Sequence, residues 1–172
     1  MSGKILKSVE LVEKTFERIH QKAGGLMVSG TNYYVGYDRC SDCNESCICG
    51  YEINKSIRII KNNKIVAYFA LGYRTVSGRG CGREPKRIRL FLYKTTEYES
   101  FKDLQEAIRR PRNNIKALHL LEADKEQPLT CRFELPKVVP LRFSPKRLKD
   151  KTEHEEGLVE ILSNCLLKEA EK

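Results

Sequence analysis

The residues with the most specific chemistry are four cysteines within ten positions of the chain. They occur as Cys40-Ser-Asp-Cys43-Asn-Glu-Ser-Cys47-Ile-Cys49, a C-x2-C-x3-C-x-C pattern. We call this segment the knot, without implying disulfides. Thiolates at this spacing can converge tetrahedrally on one soft cation, and Zn²⁺ in a Cys₄ shell is the commonest use of that geometry. The sequence therefore predicts a structural zinc site. All four thiolates would saturate the ion and leave no open position for catalysis.

Disulfides and inert buried thiols are the competing interpretations of the knot. The segment 38–45 is polar and rich in turn-forming residues, so it offers little apolar surroundings for four thiols. Seven cysteines are an odd number, which fits poorly with a complete disulfide framework. The N-terminus also lacks an apolar run of the signal-peptide kind. These observations favour a metal and a reducing, intracellular compartment, either cytoplasmic or nuclear/nucleoid. An iron–sulfur cluster stays open, although the spacing differs from that of ferredoxins.

A basic, glycine-rich loop at residues 74–87 is the second distinctive feature. Its centre reads Ser77-Gly-Arg-Gly-Cys-Gly-Arg-Glu-Pro-Lys-Arg87. Glycines at alternate positions leave backbone N–H groups accessible, and the cations suit phosphate. The order matches neither a Walker A loop nor a dinucleotide fingerprint, and a mobile, solvated hairpin tip is the plainer interpretation. Cys81 lies at its apex and is a possible substitute metal ligand, which would place this loop beside the knot.

The charge of the whole chain points to a polyanionic partner. The formal net charge is +9, with an isoelectric point near 9.2, but charge alone does not choose between nucleic acid, acidic protein and anionic lipid. After the basic loop, strand alternation predicts cations and aromatic rings on one face, a composition suited to phosphates and stacked bases. An amphipathic strand whose rings a helix covers is the alternative. The predicted nucleic-acid contacts are Arg74, Arg79, Arg83, Lys86, Arg87, Arg89, Phe91, Tyr93, Lys146 and Arg147.

Evidence for an enzyme is thin. The histidines His20, His119 and His154 all fall in predicted helices, and none has a partner at a metal-ligand or triad spacing. An acid, a second acid and a lysine on successive strands are typical of metal-dependent nucleases, and Asp38, Glu52 and Lys55 follow that order. Glu52 and Lys55 would lie on opposite faces of a regular strand, so the pattern fails unless a bulge intervenes.

The elements that must position these residues are helices at both ends and in the middle, with strands between them. Hydrophobic periodicity predicts helices over 4–22, 98–110, 114–123 and 153–168. Strands are predicted over 26–37, 56–61, 64–71, 86–94, 129–135 and 138–143, with a hairpin turn at Asn62-Asn63.

The order of these elements predicts an α+β fold in one domain, residues 1–172. Its sheet would have about five to seven strands, mostly antiparallel or mixed, and partial closure into a small barrel stays open as an alternative. The knot would be a loop at 38–50 between two strands. The chain has no apolar run of about 18 residues, so we expect no membrane span.

The sequence thus predicts a small intracellular nucleic-acid-binding protein, of DNA or RNA, with a structural zinc loop. A protein-interaction or inhibitor module that uses its basic face against an acidic partner is the alternative class. A metal-dependent nuclease is the third.

Overall fold

A computed structural model describes residues 3–29, 34–39, 48–76, 87–109, 115, 117–124, 127, 129–133, 135 and 148–172. Within these residues lie three helices and seven strands. In chain order they are α1 Gly3–Ala23, β1 Leu26–Ser29, β2 Tyr34–Arg39, β3 Ile48–Lys61, β4 Lys64–Val76, β5 Arg87–Lys94, α2 Phe101–Arg109, β6 Ala117–Asp124, β7 Thr130–Cys131 and α3 Leu148–Glu171.

The strands form one antiparallel sheet in the order β1-β3-β4-β5-β6-β7, with β2 also paired to β3. The sheet stays open and is not closed into a barrel, because β1 and β7 lie at its two ends. This architecture confirms the predicted α+β fold with an antiparallel sheet.

The β3–β4 hairpin is also confirmed. Asn62 and Asn63 have φ angles of 51° and 61°, and two consecutive positive φ angles are typical of the two-residue turn whose twist matches antiparallel strands. Asparagine tolerates this conformation better than β-branched residues do. The turn explains why two β-rich runs separated by two residues pair as a hairpin.

Helices α1 and α3 cover one face of the sheet and enclose the main core. One stripe of α1 is fully buried because Ile5, Val9, Val12, Phe16 and Ile19 recur at helical spacing. Contacts between the helices advance in the same direction along both, so α1 and α3 run parallel. These contacts join Lys14 to Glu155, Arg18 to Glu156 and Glu160, and Lys22 to Glu160.

Helix α2 covers part of the opposite face over a smaller core. That core contains Tyr68, Phe91, Tyr93 and Leu104, with Tyr68 in ring contact with both Tyr93 and Phe101. The guanidinium of Arg58 lies 4.0 Å from the centroid of the Phe101 ring, a cation–π contact that closes one side of this core.

The predicted helix over 114–123 is wrong, because residues 117–124 form strand β6. The register pairs Leu90 with Leu121 and Phe91 with His119, so Leu120 is an extra residue in a bulge. Leu120 and Leu121 are both buried as a result. The bulge removes the two-residue alternation and leaves apolar spacings that imitate a helix. It also places His119 in a strand.

The C-terminal part of the chain differs from the prediction in extent. Within the predicted strand 129–135, the structure has strand geometry at Thr130–Cys131. The predicted strand 138–143 lies outside the described residues. Helix α3 is confirmed and begins at Leu148. Among the described residues, no helix combines the length and apolar character needed to cross a bilayer.

Candidate nucleic-acid interface

Both sequence features that predicted function connect to the same end of the sheet. Register pair Arg39–Ile48 ends the β2–β3 ladder next to the connection that carries most of the knot. The β3–β4 ladder ends with the pair Cys49 and Val76, and Val76 is the last residue of β4 before the connection to β5. The fold therefore makes the two connections leave adjacent strands at one end, which we call the loop end.

The described residues include a minority of the predicted site. Cys49 lies in strand β3 and Arg74 in strand β4, so the segments predicted as loops, 38–50 and 74–87, begin and end in strand. Predicted residues outside the described part are Cys40, Cys43, Cys47, Cys81, Arg79, Arg83, Lys86, Lys146 and Arg147. Their metal and nucleic-acid roles stay predictions.

Three arginines meet at one carboxylate near the loop end, on the face that α2 partly covers. The Glu122 carboxylate lies 3.2 Å from Arg87 Nε, 3.3 Å from Arg89 Nε and 3.1 Å from Arg132 Nη2. Antiparallel pairing of β5 with β6 sets Arg89 opposite Glu122, and Arg132 follows directly after β7. We call Arg87, Arg89, Arg132, Glu122 and the adjacent His119 the arginine cluster.

Electrostatics keep the Glu122 carboxylate ionised. Burial alone would raise the pKa of Glu122, but Arg89, the hydrogen bond from Arg132, His119 and Arg87 together bring it below its ordinary 4.5. Three guanidinium groups against this carboxylate leave a formal excess of two positive charges. Asp124, whose Cα pairs with Arg87, reduces that excess to one.

His119 is the uncharged member of the cluster. Burial first, and then the nearby Arg89, lower its pKa to about 4. Its ring stacks on Phe91 with a centroid distance of 5.8 Å. Nε2 is buried 3.8 Å from Glu122, without a hydrogen-bond partner among the described atoms. At neutral pH the imidazole therefore adds no charge to the cluster.

The predicted aromatic contacts require a correction. Phe91 and Tyr93 are 6% and 4% exposed and belong to the core beneath α2. Burial raises the pKa of the Tyr93 hydroxyl well above its usual range. Rings in this position cannot stack on bases while α2 is in place, so the alternative interpretation, a strand whose rings a helix covers, is correct for these two residues.

Sequence reasoning missed Arg132, Glu122 and His119 as partners of Arg87 and Arg89. Their assembly depends on β6 being a strand beside β5, and the bulge had hidden that strand. Arg132 was visible in the sequence as a basic residue inside the predicted strand 129–135, but its partner in the fold was not.

The register partly meets the condition set for a nuclease. A bulge separates Ile53 from Lys55 on β3, as that pattern requires. Asp38 pairs with Cys49, three residues before Glu52, and a register shift of the β2–β3 ladder lies between these two positions. Lys55 Nζ contacts Glu13 of α1 at 2.8 Å.

Comparison with known proteins gives no relative from which a role could be transferred. No family model matches the chain, no curated protein is similar to it, and no solved structure matches its fold.

Proposed function

We propose that this chain is a nucleic-acid-binding protein that contacts phosphates through the arginine cluster and the basic loop beside it. The observation that carries the proposal is the convergence of three arginines at the loop end. A guanidinium has five N–H donors, so one that contacts a carboxylate through Nε can still bind a phosphate. The chain's charge of +9 supports a polyanionic ligand over a neutral one.

A zinc ion bound by the four cysteines of the knot forms part of the proposal. It would fasten the connection between β2 and β3 at the loop end and so fix one border of the binding surface. Elemental analysis of protein purified without added zinc tests this directly. One equivalent of zinc per chain is expected, and a metal-free protein with reactive thiols would contradict it.

Titration of labelled single- and double-stranded RNA and DNA, at low and at physiological salt, tests the binding proposal. Affinity should fall steeply with salt, because cations that contact phosphates release condensed counterions. The double variant Arg87→Gln/Arg89→Gln should bind about tenfold more weakly at low salt. The slope of log affinity against log salt should decrease by about two, roughly one for each lost phosphate contact.

The matched control removes two cations from the opposite end of the sheet. Lys61 and Lys64 are exposed and pair with each other beside the hairpin turn, so Lys61→Gln/Lys64→Gln causes the same change in net charge. If both double variants lose the same affinity, the binding is nonspecific attraction to a basic protein. If the unmodified protein binds no nucleic acid at low salt, the proposal is wrong, and an acidic protein becomes the partner to seek.

A further inference from the structure

A groove lies between the segment after β7 and the last turns of α3. Its volume is about 520 Å³, within the range of roughly 300–1,000 Å³ that small-molecule sites occupy. The lining residues are Arg132, Phe133, Leu135, Cys165, Lys168, Glu169 and Lys172. We call this the edge groove, since β7 is the last strand of the sheet within the described residues.

The floor of the edge groove is apolar. Phe133 and Leu135 pack against the main core, which holds them in place. Burial raises the pKa of the Cys165 thiol, so this side chain is uncharged at neutral pH. A ring and an aliphatic side chain beside a neutral thiol suit a flat, apolar group.

The rim of the groove is cationic. Arg132 directly follows β7, Lys168 lies in the last turn of α3, and Lys172 directly follows α3. Glu169 is the acidic residue among the described residues of the lining, and its carboxylate contacts Lys172. Among these described residues, three cations against one acid favour an anion, so this part of the lining fits a ligand with a flat apolar part and a negatively charged part.

The edge groove borders the arginine cluster at one residue. Arg132 Nη2 lies 3.1 Å from the Glu122 carboxylate, and Arg132 is also among the residues that line the groove together with Lys168. A flexible polyanion can contact both sites through this shared residue.

We propose that the edge groove binds one unstacked nucleotide of a single-stranded nucleic acid, with the base on Phe133 and the phosphate between Arg132 and Lys168. This inference rests on the proposed function and specifies its substrate as single-stranded. A base is accessible to a groove of this kind only when it is unpaired, because pairing hides its faces within the duplex stack. The buried rings of Phe91 and Tyr93 are unavailable for that role, and Phe133 takes their place.

The test compares short fluorescein-labelled single strands of RNA and DNA with hairpin duplexes of the same sequences. Phe133→Leu keeps an apolar side chain on the core and removes the ring. It should weaken single-strand binding about tenfold, in line with the stacking of one base on an aromatic ring, and leave duplex binding unchanged. Lys168→Gln should weaken single-strand binding by a smaller factor and lower its salt slope by about one.

Three outcomes separate this inference from the proposed function. Equal affinity for strand and duplex, or full single-strand affinity in Phe133→Leu, overturns the edge groove as a nucleotide site. If Arg87→Gln/Arg89→Gln still loses affinity in that case, the proposed function stands. Absence of any nucleic-acid binding overturns both.

A second measurement does not depend on strand affinity. Titration with adenosine monophosphate should shift the backbone amide resonances of residues 132–133 and 165–169, with a weaker response in Phe133→Leu. Shifts confined to Arg87 and Arg89 would place the nucleotide in the arginine cluster and contradict the groove assignment. Circular dichroism of each variant checks that the fold is retained.

Discussion

The two faces of the sheet differ in what covers them. Helices α1 and α3 bury one face under a long apolar stripe, and their charged residues pair with each other at the surface. On the other face, within the part of the chain that the structure describes, the nine-residue helix α2 lies over a smaller core, and the arginine cluster lies beside it. On the first face the glutamates of α3 that pair with α1 have side chains 34% to 57% exposed. On the second face the charges are concentrated at Glu122, whose side chain is 17% exposed.

This difference separates stability from binding. Apolar burial on the α1–α3 face supplies most of the driving force for folding, since the hydrophobic term scales with area removed from water. The charges around Glu122 contribute less to folding, because the desolvation cost of burying them opposes their mutual attraction. An arrangement of that kind offers concentrated positive charge. We therefore expect substitutions on the two faces to affect different measurements.

The largest effect should come from the core of the α1–α3 face. Phe16 is fully buried, and Phe16→Ala removes its contacts and leaves a cavity. We expect the free energy of unfolding to fall by about 3–5 kcal/mol, measured by urea denaturation. Leu6→Ala on the exposed side of α1 is the control and should change little. A loss below about 1 kcal/mol for Phe16→Ala would show that this face is not the main core.

A smaller effect on stability, with a change in binding, is expected from Glu122→Gln. Its carboxylate holds three guanidinium groups, so losing its charge leaves partly buried cations without their shared partner. We expect a loss of about 1–3 kcal/mol in denaturation, while nucleic-acid affinity at low salt rises because a negative charge is removed. Glu13→Gln breaks the contact with Lys55 on the other face and should leave affinity unchanged. Weaker binding by Glu122→Gln would contradict a phosphate-binding role for the cluster.

Acidification should destabilise the protein through the same cluster. The folded protein takes up a proton on His119 only near its lowered pKa of about 4, whereas the unfolded chain does so near 6.5. Between these values the unfolded state binds more protons, so stability falls as the pH falls. The lowered pKa of Glu122 means that its ionised carboxylate also stabilises the folded state. This stabilisation is lost at still lower pH, as the carboxylate takes up a proton.

The variant His119→Phe tests this pH dependence because it cannot take up the proton. Between about pH 6.5 and pH 4, the free energy of unfolding of the unmodified protein should fall more than that of the variant. The two decreases should differ by an amount on the order of 1 kcal/mol. Thermal denaturation at a series of pH values measures it, with His154→Gln as the control. An unchanged slope in His119→Phe would mean that His119 is not buried as a neutral ring.

The smallest effect should come from the surface ion pairs between α1 and α3. Arg18 contacts two exposed glutamates at 2.9 and 3.0 Å, and such pairs are screened by salt. Arg18→Ala should lower the free energy of unfolding by less than about 1 kcal/mol. The difference from the unmodified protein should shrink at high salt. Arg89→Ala is the variant to compare with Arg18→Ala. Because Arg89 is partly buried, the stability lost in Arg89→Ala should depend less on salt than the stability lost in Arg18→Ala.

Much of the fold was predictable because its signals are local. Periodic apolar residues define α1, and the paired asparagines define the β3–β4 hairpin. Strand β6 was not predictable, since a bulge at Leu120 replaced the alternation by spacing that a helix also shows. The arginine cluster, the proposed interface, was predicted in part. The sequence indicated Arg87 and Arg89, but Phe91 and Tyr93 were assigned to a face that α2 covers.

The sequence by itself determined the net positive charge, the spacing of the cysteines and the amphipathic elements, because each of these depends on residues close together in the chain. Tertiary structure decided which rings are buried, which arginines share Glu122, and that Arg132 reaches both the arginine cluster and the edge groove. Those contacts join residues that are far apart in the chain, such as Arg132 and Glu122, ten positions apart, and Arg87 and Glu122, thirty-five positions apart. They depend on strand register and on which helix covers which face of the sheet. A local sequence pattern predicts neither of these.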